Sequence, residues 1–337
     1  MAKWYNDSGF QSDIVLSTRV RLARNIKGIP FPNKMTDDDA TKVIELVAGA
    51  LEGMNFKFNR INIHELVPAE KEKLVEKHYI SPKLANQTKP CAVFVSEDES
   101  VSIMVNEEDH IRLQSIYAGL ECQKAYDIIS KIDTFMAERL DYAVHTKYGY
   151  LTSCLTNVGT GMRISFMVHL PAVCRSSVAD NLFAALGKIG VAVRGMYGEG
   201  TKASGYIFQI SNQKTLGADE KEIADKLYDV ANQVISKERE LRTILFKQQG
   251  IALEDKIMRS LGIIKNARLL SGKEMLALFS DVRLGISLGL VKDTDTKVLN
   301  KLMIETSPAH LLPVAQNAGE RDVHRARIVR ESFNKEE

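Results

Sequence analysis

The chain has 337 residues, of which 45% are hydrophobic and 26% charged, which is typical of a globular protein of about two domains and argues against disorder. Its 45 Lys and Arg against 43 Asp and Glu give a formal charge of +2, so no net basic field predicts direct nucleic-acid binding. A polar N-terminus and the lack of an apolar run of about 18 residues predict no membrane span and a cytoplasmic protein.

Four widely spaced cysteines without a CxxC pair argue against a disulfide framework and against a structural zinc site. We therefore expect reduced thiols and no metal held by protein ligands alone.

The first elements alternate between helix and strand. Thr36 is a good N-cap for a helix whose apolar residues recur at helical spacing up to Leu51. Residues 91–95 and 101–105 are β-rich runs around a polar turn, which predicts a hairpin that leads into 106–110.

Further along, the pattern predicts a helix at 120–140, strands at 163–170 and 205–211, and a helix near 177–188. From about residue 218 the pattern is almost wholly helical, with breaks at Gly250, Ser271-Gly272 and Pro308. The sequence thus predicts an α+β domain followed by a mainly helical domain that begins near residue 245.

No ordinary nucleotide motif occurs: the chain lacks a P-loop, a Rossmann GxGxxG after a strand, and the HRD and DFG motifs of protein kinases. Five arginines nevertheless stand in unusual settings. In an extended segment Arg19 and Arg21 share a face and can present two guanidinium groups to one polyphosphate. Taken singly, each of the five is more often a surface or salt-bridge residue.

Two acidic features are candidates for orienting a cationic substrate and taking its proton. Glu107, Glu108 and Asp109 form a cluster that read alone is a solvated turn, and Glu199 lies between two glycines. The Cys154–Gly161 segment mixes a thiol with small polar residues and suits a loop around polar ligand atoms, although such residues also make ordinary turns.

Four ordered motifs resemble the signatures of the phosphagen (guanidino) kinases, in which ATP phosphorylates creatine or arginine. They are STRVRLARN (17–25), NEEDHIR (106–112), CLTNVGTGMR (154–163) and RGMYGEG (194–200). The resemblance implies a glutamine-synthetase-like antiparallel sheet flanked by helices, in a catalytic domain at 13–241.

The resemblance also implies site residues and cofactors. Glu108 and Glu199 engage the guanidinium, with Glu108 as the base, and Cys154 falls on the family's active-site cysteine. ATP and Mg²⁺ are the implied cofactors. Nucleotide binding is implied for Ser17, Thr18, Arg19, Val20, Arg21, His78, Arg112, Arg163, Ile164, Ser165, Phe166, Met167, Arg194, Gly195, Met196, Tyr197, Gly198 and Glu199.

This inventory suits the chemistry. A guanidinium has a pKa above 12 and is a poor nucleophile when protonated, so a carboxylate must align one nitrogen and accept its proton. Phosphoryl transfer then needs mainly positioning and charge neutralisation, which arginines and Mg²⁺ supply without a P-loop lysine.

The small-metabolite kinases carry a helical N-terminal domain before the first arginine motif, whereas Arg19 stands almost at the start here. About ninety extra C-terminal residues instead resemble the bacterial protein-arginine kinases, which implies a domain at 245–337. The segment Arg321-Asp-Val-His-Arg-Ala326 resembles their phosphoarginine-binding motif, with Arg321, Asp322, Arg325 and Ala326 as the implied binding residues. Read alone, it is a solvated charged helix with an internal salt bridge.

The resemblance implies protein substrates with exposed arginines, phosphoarginine as an allosteric ligand, and a homodimer. It also implies a zinc-containing activator, delivery of marked proteins to a Clp ATPase and protease, and regulation of a heat-shock repressor. The alternatives are a kinase for a free guanidino metabolite and a non-catalytic phosphoarginine-binding adaptor. A carboxylate-amine ligase on a related sheet would need several metal-binding glutamates, which the sequence does not offer.

Overall fold

A computed structural model describes residues 3–196 and 203–334, which contain ten strands and twelve α-helices. The strands are β1 (Val15–Arg24), β2 (Phe58–Asn62), β3 (Ala92–Ser96), β4 (Val101–Val105), β5 (Ile111–Ala118), β6 (Val144–His145), β7 (Gly149–Tyr150), β8 (Met162–His169), β9 (Val191–Gly195) and β10 (Ile207–Asn212). Eight of them form one antiparallel sheet in the order β2-β3-β4-β5-β1-β8-β10-β9, and β6 pairs with β7 in a separate ribbon.

The helices before the C-terminal region are α1 (Asp37–Leu51), α2 (Pro68–Glu76), α3 (Pro82–Ala85), α4 (Cys122–Ala137), α5 (Pro171–Arg175) and α6 (Ala179–Lys188). Those that follow are α7 (Glu220–Gln249), α8 (Ile251–Asn266), α9 (Gly272–Ser287), α10 (Thr296–Glu305), α11 (Pro308–Leu311) and α12 (Ala318–Phe333). None of these helices combines the length and apolar character that crossing a bilayer requires.

One face of the sheet packs against helices and forms the main core. Alternate strand residues such as Val20, Leu113 and Ile164 are fully buried there, against apolar side chains of α1, α4, α6 and α7. Because side chains alternate between the two faces of a strand, the residues between them point to the opposite face.

Other parts of the chain pack on both sides of the opposite face and leave the region between them uncovered. Helices α8, α9, α10 and α12 share a core with Ile116, Met167 and Ile207 of the sheet. The segment around α2 and α3 packs on Val93, Val95 and Met104 at the other side. The arginine-bearing stretches of β1, β5 and β8 lie between these two covered areas.

The predicted elements correspond closely to the structure. The helix after Thr36 is α1, where the Thr36 hydroxyl accepts from the amide of Asp39 and the Asp39 carboxylate accepts from that of Thr36. The predicted hairpin is β3 and β4, the helices expected at 120–140 and near 177–188 are α4 and α6, and the helical pattern expected from about residue 218 corresponds to α7 to α12. The α+β fold class with a helical C-terminal region is therefore confirmed.

The predicted domain boundary at residue 245 falls inside α7, which continues to Gln249 and ends where Gly250 adopts a φ of 46°. Only glycine adopts such a conformation without strain, so the chain breaks there and α8 begins at Ile251. The division into two domains stays a prediction.

Acidification below about pH 6.5 is expected to destabilise the fold, because His110 and His169 are fully buried in surroundings that favour the neutral ring. His110 Nδ1 accepts from the amide of Ile26 at 3.0 Å, and its Nε2 donates to the carbonyl oxygen of Pro30 at 2.8 Å, so a second ring proton has no acceptor. Burial lowers the pKa of both rings, and the nearby charge of Arg242 lowers that of His169 further.

The sign follows from proton binding: these two histidines take up protons below a pKa of about 6.5 in the unfolded chain and only at lower pH in the fold. The free energy of unfolding should therefore fall with pH by up to about 1.4 kcal/mol per unit for each ring. Urea-induced unfolding at pH 7.5, 6.5 and 5.5 measures this, and a value that stays flat or rises on acidification would contradict it.

Candidate active site

A cluster of arginines on the open face of the sheet follows from strand register. Arg21 of β1 lies directly opposite Arg163 of β8, and Arg19 lies opposite Ser165. On the other side of β1, Arg112 of β5 lies opposite Ala23. Residues directly opposite each other share a face, so these four guanidinium groups project to one side.

Arg194 joins the same face from the edge of the sheet. It lies opposite Gln209 of β10, which in turn lies opposite Met167 of β8, two residues from Ser165. Its charge acts on the cluster. Burial lowers the pKa of Arg163, and the positive charge of Arg194 lowers it further. The five arginines singled out in the sequence lie on four strands of one sheet, β1, β5, β8 and β9.

Positive charge in the cluster exceeds the local negative charge. Burial and the charges of Arg112 and Arg163 lower the pKa of Arg19 to about 10, and burial with the neighbouring arginines lowers the pKa of Arg21. The one carboxylate paired with the cluster in the described residues is Glu107, 2.9 Å from Arg112. The mutual repulsion of these guanidinium groups favours an anionic ligand.

Two donors in the cluster are buried and without a partner in the protein as described. They are Nε of Arg21 and Nε of Arg163, on directly opposed residues. A buried donor without an acceptor costs free energy, and a ligand with several anionic oxygens removes that cost for both residues. The arginine cluster therefore fits a polyphosphate.

The acidic turn between β4 and β5 gives its two glutamates different surroundings. Glu107 is buried, accepts from the hydroxyl of Ser81 at 2.6 Å, and pairs with Arg112. Glu108 is 31% exposed at its side chain and has Lys83 Nζ at 3.6 Å. Glu107 is held by the protein, whereas Glu108 is left to face a ligand.

A cavity of about 120 Å³ joins the arginines to the carboxylate and the thiol. It is lined by Arg21, Ala23, Glu108, Arg112, Cys154, Thr156, Asn157, Gly161 and Arg163. Cys154 lies at its wall, with Sγ 3.0 Å from the hydroxyl of Thr156. Gly161 lets this loop approach β1, because a Cβ there would lie 2.6 Å from the carbonyl oxygen of Ala23.

The turn that carries Glu108 is tied to the Cys154 loop through Asn25, which the sequence analysis did not single out. The side-chain amide nitrogen of Asn25 donates to Asp109 at 2.7 Å, and its side-chain Oδ1 accepts from the backbone amide of His110 at 2.8 Å. Asp109 also accepts from the amide of Ser153 at 2.6 Å. Asn25 ends the first arginine motif, so the only available signal was its place in that motif.

His78, to which the resemblance assigns nucleotide binding, lies close to Arg19 of the cluster. Burial and the charge of Arg19 lower the pKa of His78 to about 3, so the ring is neutral at physiological pH. Trp4 packs edge-on against the ring at 5.3 Å, and Gln114 donates to the His78 carbonyl oxygen at 2.6 Å. His78 itself has a φ of 65°.

Several predicted nucleotide-binding residues do not present their side chains to the cluster. Val20, Ile164 and Phe166 point into the core on the other face of the sheet, so any contact with a nucleotide there uses their backbone. The hydroxyl of Thr18 donates a hydrogen bond to the carbonyl oxygen of Gly119.

The remaining members differ in how much can be described. Ser17, Ser165 and Met167 lie on the arginine face, Met167 in the core with the C-terminal helices, and Gly195 and Met196 follow Arg194. Tyr197, Gly198 and Glu199 lie outside the described residues.

A second cavity, of about 410 Å³, lies in the C-terminal region at the segment that resembles the phosphoarginine motif. Arg321, Asp322 and Arg325 line it together with apolar residues such as Met275 and Leu276. Arg325 is buried and bonded to the carbonyl oxygens of Leu270 and Thr306 and to Asp322. Ala326 packs in the core instead of lining the cavity.

Family models match most of the chain. The C-terminal catalytic domain of the ATP:guanido phosphotransferases matches residues 40–241. The C-terminal domain of the protein-arginine kinase McsB matches residues 250–337.

Curated proteins and solved structures agree with these matches. A protein-arginine kinase of Caldanaerobacter subterraneus subsp. tengcongensis is 47% identical, over 97% of this chain and 99% of its own length. One from Moorella thermoacetica is 46% identical over 98% and 97%. A crystal structure of lombricine kinase, at 24% identity, has the same fold with a TM-score of 0.63 over 70% of this chain and 69% of its own. The arginine cluster, its carboxylate and these matches place the chain in the ATP:guanido phosphotransferase family, among the protein-arginine kinases.

Proposed function

We propose that the chain transfers the γ-phosphoryl group of ATP to arginine side chains of proteins. The observation that carries the proposal is a single cavity where Arg21, Arg112 and Arg163 meet Glu108 and Cys154. Family membership supports the use of ATP, and the name shared by relatives over nearly their whole length supports a protein acceptor.

The arginine cluster is the proposed nucleotide phosphate site. Arg21 and Arg163 offer their unpartnered Nε donors to phosphate oxygens, and Arg19, Arg112 and Arg194 add positive charge on the same face. Charge that moves onto the bridging oxygen of ADP during transfer is stabilised by donors already in place. His78, neutral and next to Arg19, is the proposed neighbour of the adenine.

Glu108 is the proposed base for the acceptor. A guanidinium nitrogen attacks the γ-phosphorus, the bond from that phosphorus to the β-bridging oxygen breaks, ADP leaves, and the nitrogen's proton goes to the Glu108 carboxylate. The preference over Glu107 is supported by the contacts of Glu107 with Ser81 and Arg112, which leave it no free oxygen for a substrate. Glu199, outside the described residues, is the proposed second carboxylate.

Mg²⁺ is proposed to enter with the nucleotide. No group of three His, Cys, Asp or Glu side chains within residues 3–196 and 203–334 could hold a metal ion. We therefore propose that phosphate oxygens and water molecules carry the ion, as is common for Mg²⁺ in kinases. When bound, the ion adds positive charge next to the arginines.

Comparison of acceptors tests the proposed function. With Mg-ATP, release of ADP should increase on addition of an unstructured arginine-containing protein and much less on addition of free arginine. Turnover with free arginine alone would support a small-metabolite kinase instead. Binding of phosphoarginine without any turnover of ATP would support a non-catalytic adaptor.

The C-terminal cavity is the proposed phosphoarginine sensor. Arg321 is the member of the motif left to bind a phosphoryl group, and Asp322 is positioned beside it, although Asp322 already pairs with Arg325. A connection to the catalytic half supports a regulatory role. Glu76, two residues before His78 in the sequence, also lines the cavity. Its carboxylate accepts from the backbone amide of Ala309 at 2.8 Å and from His310 Nδ1 at 2.7 Å.

Replacing Arg321 by Ala is expected to weaken binding of free phosphoarginine by at least about 10-fold, because one charge-assisted contact contributes about 1.5–3 kcal/mol. Isothermal titration calorimetry measures the affinity, with Arg327→Ala, an exposed arginine of the same helix, as the control. Equal affinities in the two variants would overturn the sensor proposal and leave the kinase proposal standing.

Four further proposals rest on family membership alone. They are a homodimeric assembly, activation by a zinc-containing protein, delivery of marked proteins to a Clp ATPase and protease, and control of a heat-shock repressor. We also propose the division into a catalytic part at 13–241 and a C-terminal part at 245–337, which the two matched ranges support.

A further inference from the structure

A short segment around α3 forms one wall beside the acidic turn. Ser81, the N-cap of α3, donates to Glu107, and Gln87 donates to the carbonyl oxygens of Asn106 at 3.1 Å and Glu107 at 3.3 Å. Lys83, between these two contacts, places Nζ 3.6 Å from Oε1 of Glu108. Three side chains of one segment therefore address the turn that carries the proposed base.

Lys83 differs from the other two in being exposed. Its side chain is 56% accessible, and Glu108 is its one ion-pair partner in the part of the chain that the structure describes. A lysine in this state contributes little to the stability of a fold, because exposed ion pairs are worth about 0–1 kcal/mol. Lys83 lies beside the Glu108 carboxylate but does not line the cavity. Fold stability does not account for this position, so we considered a role in substrate binding.

The size of the cavity determines which part of a protein substrate lies near Lys83. A volume of about 120 Å³ holds the reacting end of an arginine and not the polypeptide around it. The residues on either side of an acceptor arginine therefore stay at the mouth. When the acceptor guanidinium pairs with Glu108, two cations cannot share that carboxylate without repulsion, and the flexible Lys83 side chain turns toward the mouth.

We propose that Lys83 is a specificity-determining residue that favours acceptor arginines with acidic neighbours and disfavours those with basic neighbours. The inference rests on the proposed function and names the acceptor class of the same site. Its physical basis is the charge of one ammonium group at the mouth, which attracts a flanking carboxylate and repels a flanking cation.

The test uses three peptides that each contain one arginine, flanked at the second position on both sides by Glu, Gln or Lys. The measured quantity is kcat/KM for phosphoarginine formation by the full-length chain, as the ratio of the Glu-flanked to the Lys-flanked peptide. Lys83→Gln should lower this ratio about 3-fold and Lys83→Glu about 10-fold, mostly through KM. Sodium chloride at 0.5 M should reduce both effects, because it screens exposed charges.

Lys42→Glu is the matched control. Lys42 is an exposed residue of α1, which packs on the other face of the sheet, so the variant has the same net charge as Lys83→Glu. Its ratio should equal that of the unaltered chain. Because each variant is scored by a ratio between peptides, a general loss of activity in Lys83→Glu does not affect the result.

Two results would overturn the inference in distinguishable ways. Equal ratios for Lys83→Gln and the unaltered chain, or equal shifts for Lys83→Glu and Lys42→Glu, would exclude Lys83 as a specificity residue while the kinase activity stands. No phosphoarginine on any peptide or on an unstructured protein would remove the proposed function, and this inference with it.

Discussion

Replacing Glu108 by Gln is expected to lower kcat for phosphoryl transfer by about 10²- to 10⁴-fold, the usual contribution of a positioned general base. Gln keeps the size of the side chain and can still contact a guanidinium, but it accepts no proton. The affinity for ATP should change little, because the five arginines are untouched and Glu108 makes no ion pair with them in the described residues. Steady-state kinetics with a protein acceptor and a separate ATP-binding titration measure the two effects.

Glu107→Gln separates the two neighbouring carboxylates. Glu107 pairs with Arg112 and accepts from Ser81, so its loss should weaken the phosphate site and lower stability. Glu107→Gln should therefore act mainly on the KM for ATP, whereas Glu108→Gln should act mainly on kcat. Normal kcat in Glu108→Gln, or a larger loss of kcat in Glu107→Gln than in Glu108→Gln, would refute the assignment of the base.

Replacing Arg242 by Ala is expected to lower the free energy of unfolding by about 3–5 kcal/mol, because it leaves a buried carboxylate without its cation. Glu238 is completely buried, 2.7 Å from Arg242, and accepts from the amides of Ala172 and Val173 at the start of α5. Arg242 also donates to the hydroxyl of Ser287 at 2.7 Å and to the carbonyl oxygen of His169 at 3.2 Å. This one side chain connects α7 to the sheet and to α9.

Arg239→Ala is the control on the same helix. Arg239 pairs with Asp13 across accessible side chains, so its loss should change the free energy of unfolding by less than about 1 kcal/mol. Adding Glu238→Gln to Arg242→Ala should restore part of the loss, because the uncompensated charge is then absent. A loss in Arg242→Ala no larger than in Arg239→Ala would contradict this account.

The pH dependence of that loss has a definite sign. Burial raises the pKa of Glu238 even with Arg242 present, and removing the cation raises it further. A group with a raised pKa in the fold binds more protons folded than unfolded, so its destabilising effect grows as pH rises. The difference between Arg242→Ala and the unaltered chain should therefore be larger at pH 8 than at pH 5.5.

Local pattern predicted most of the elements and part of the site. The spacing of apolar residues and the cap at Thr36 were enough for α1, and two β-rich runs around a polar turn were enough for β3 and β4. Arg19 and Arg21 could be placed on one face because side-chain direction alternates along a strand.

The convergence of all five arginines could not be derived from local pattern. It depends on the register that sets Arg21 opposite Arg163 and Arg112 opposite Ala23, and register between strands more than 80 residues apart is fixed by tertiary packing. The family motifs supplied this part of the prediction, since they had already been recognised as one site.

Contacts between distant segments were missed for the same reason. Ser81, Gln87 and Asn25 brace the turn that carries Glu108, yet each is an ordinary polar residue in the sequence. The ion pair of Arg242 with Glu238 has the spacing of a surface helix pair, and only packing against the sheet makes it buried. Sequence pattern carries no measure of that burial.

The most direct test of the central claim is tandem mass spectrometry of an unstructured arginine-containing protein after incubation with the chain and Mg-ATP, under conditions that preserve acid-labile phosphoramidates. The account predicts phosphoryl groups on arginine side chains, and their near absence when Glu108→Gln replaces the unaltered chain. Phosphoryl groups only on free arginine, or equal arginine phosphorylation by the two proteins, would contradict it.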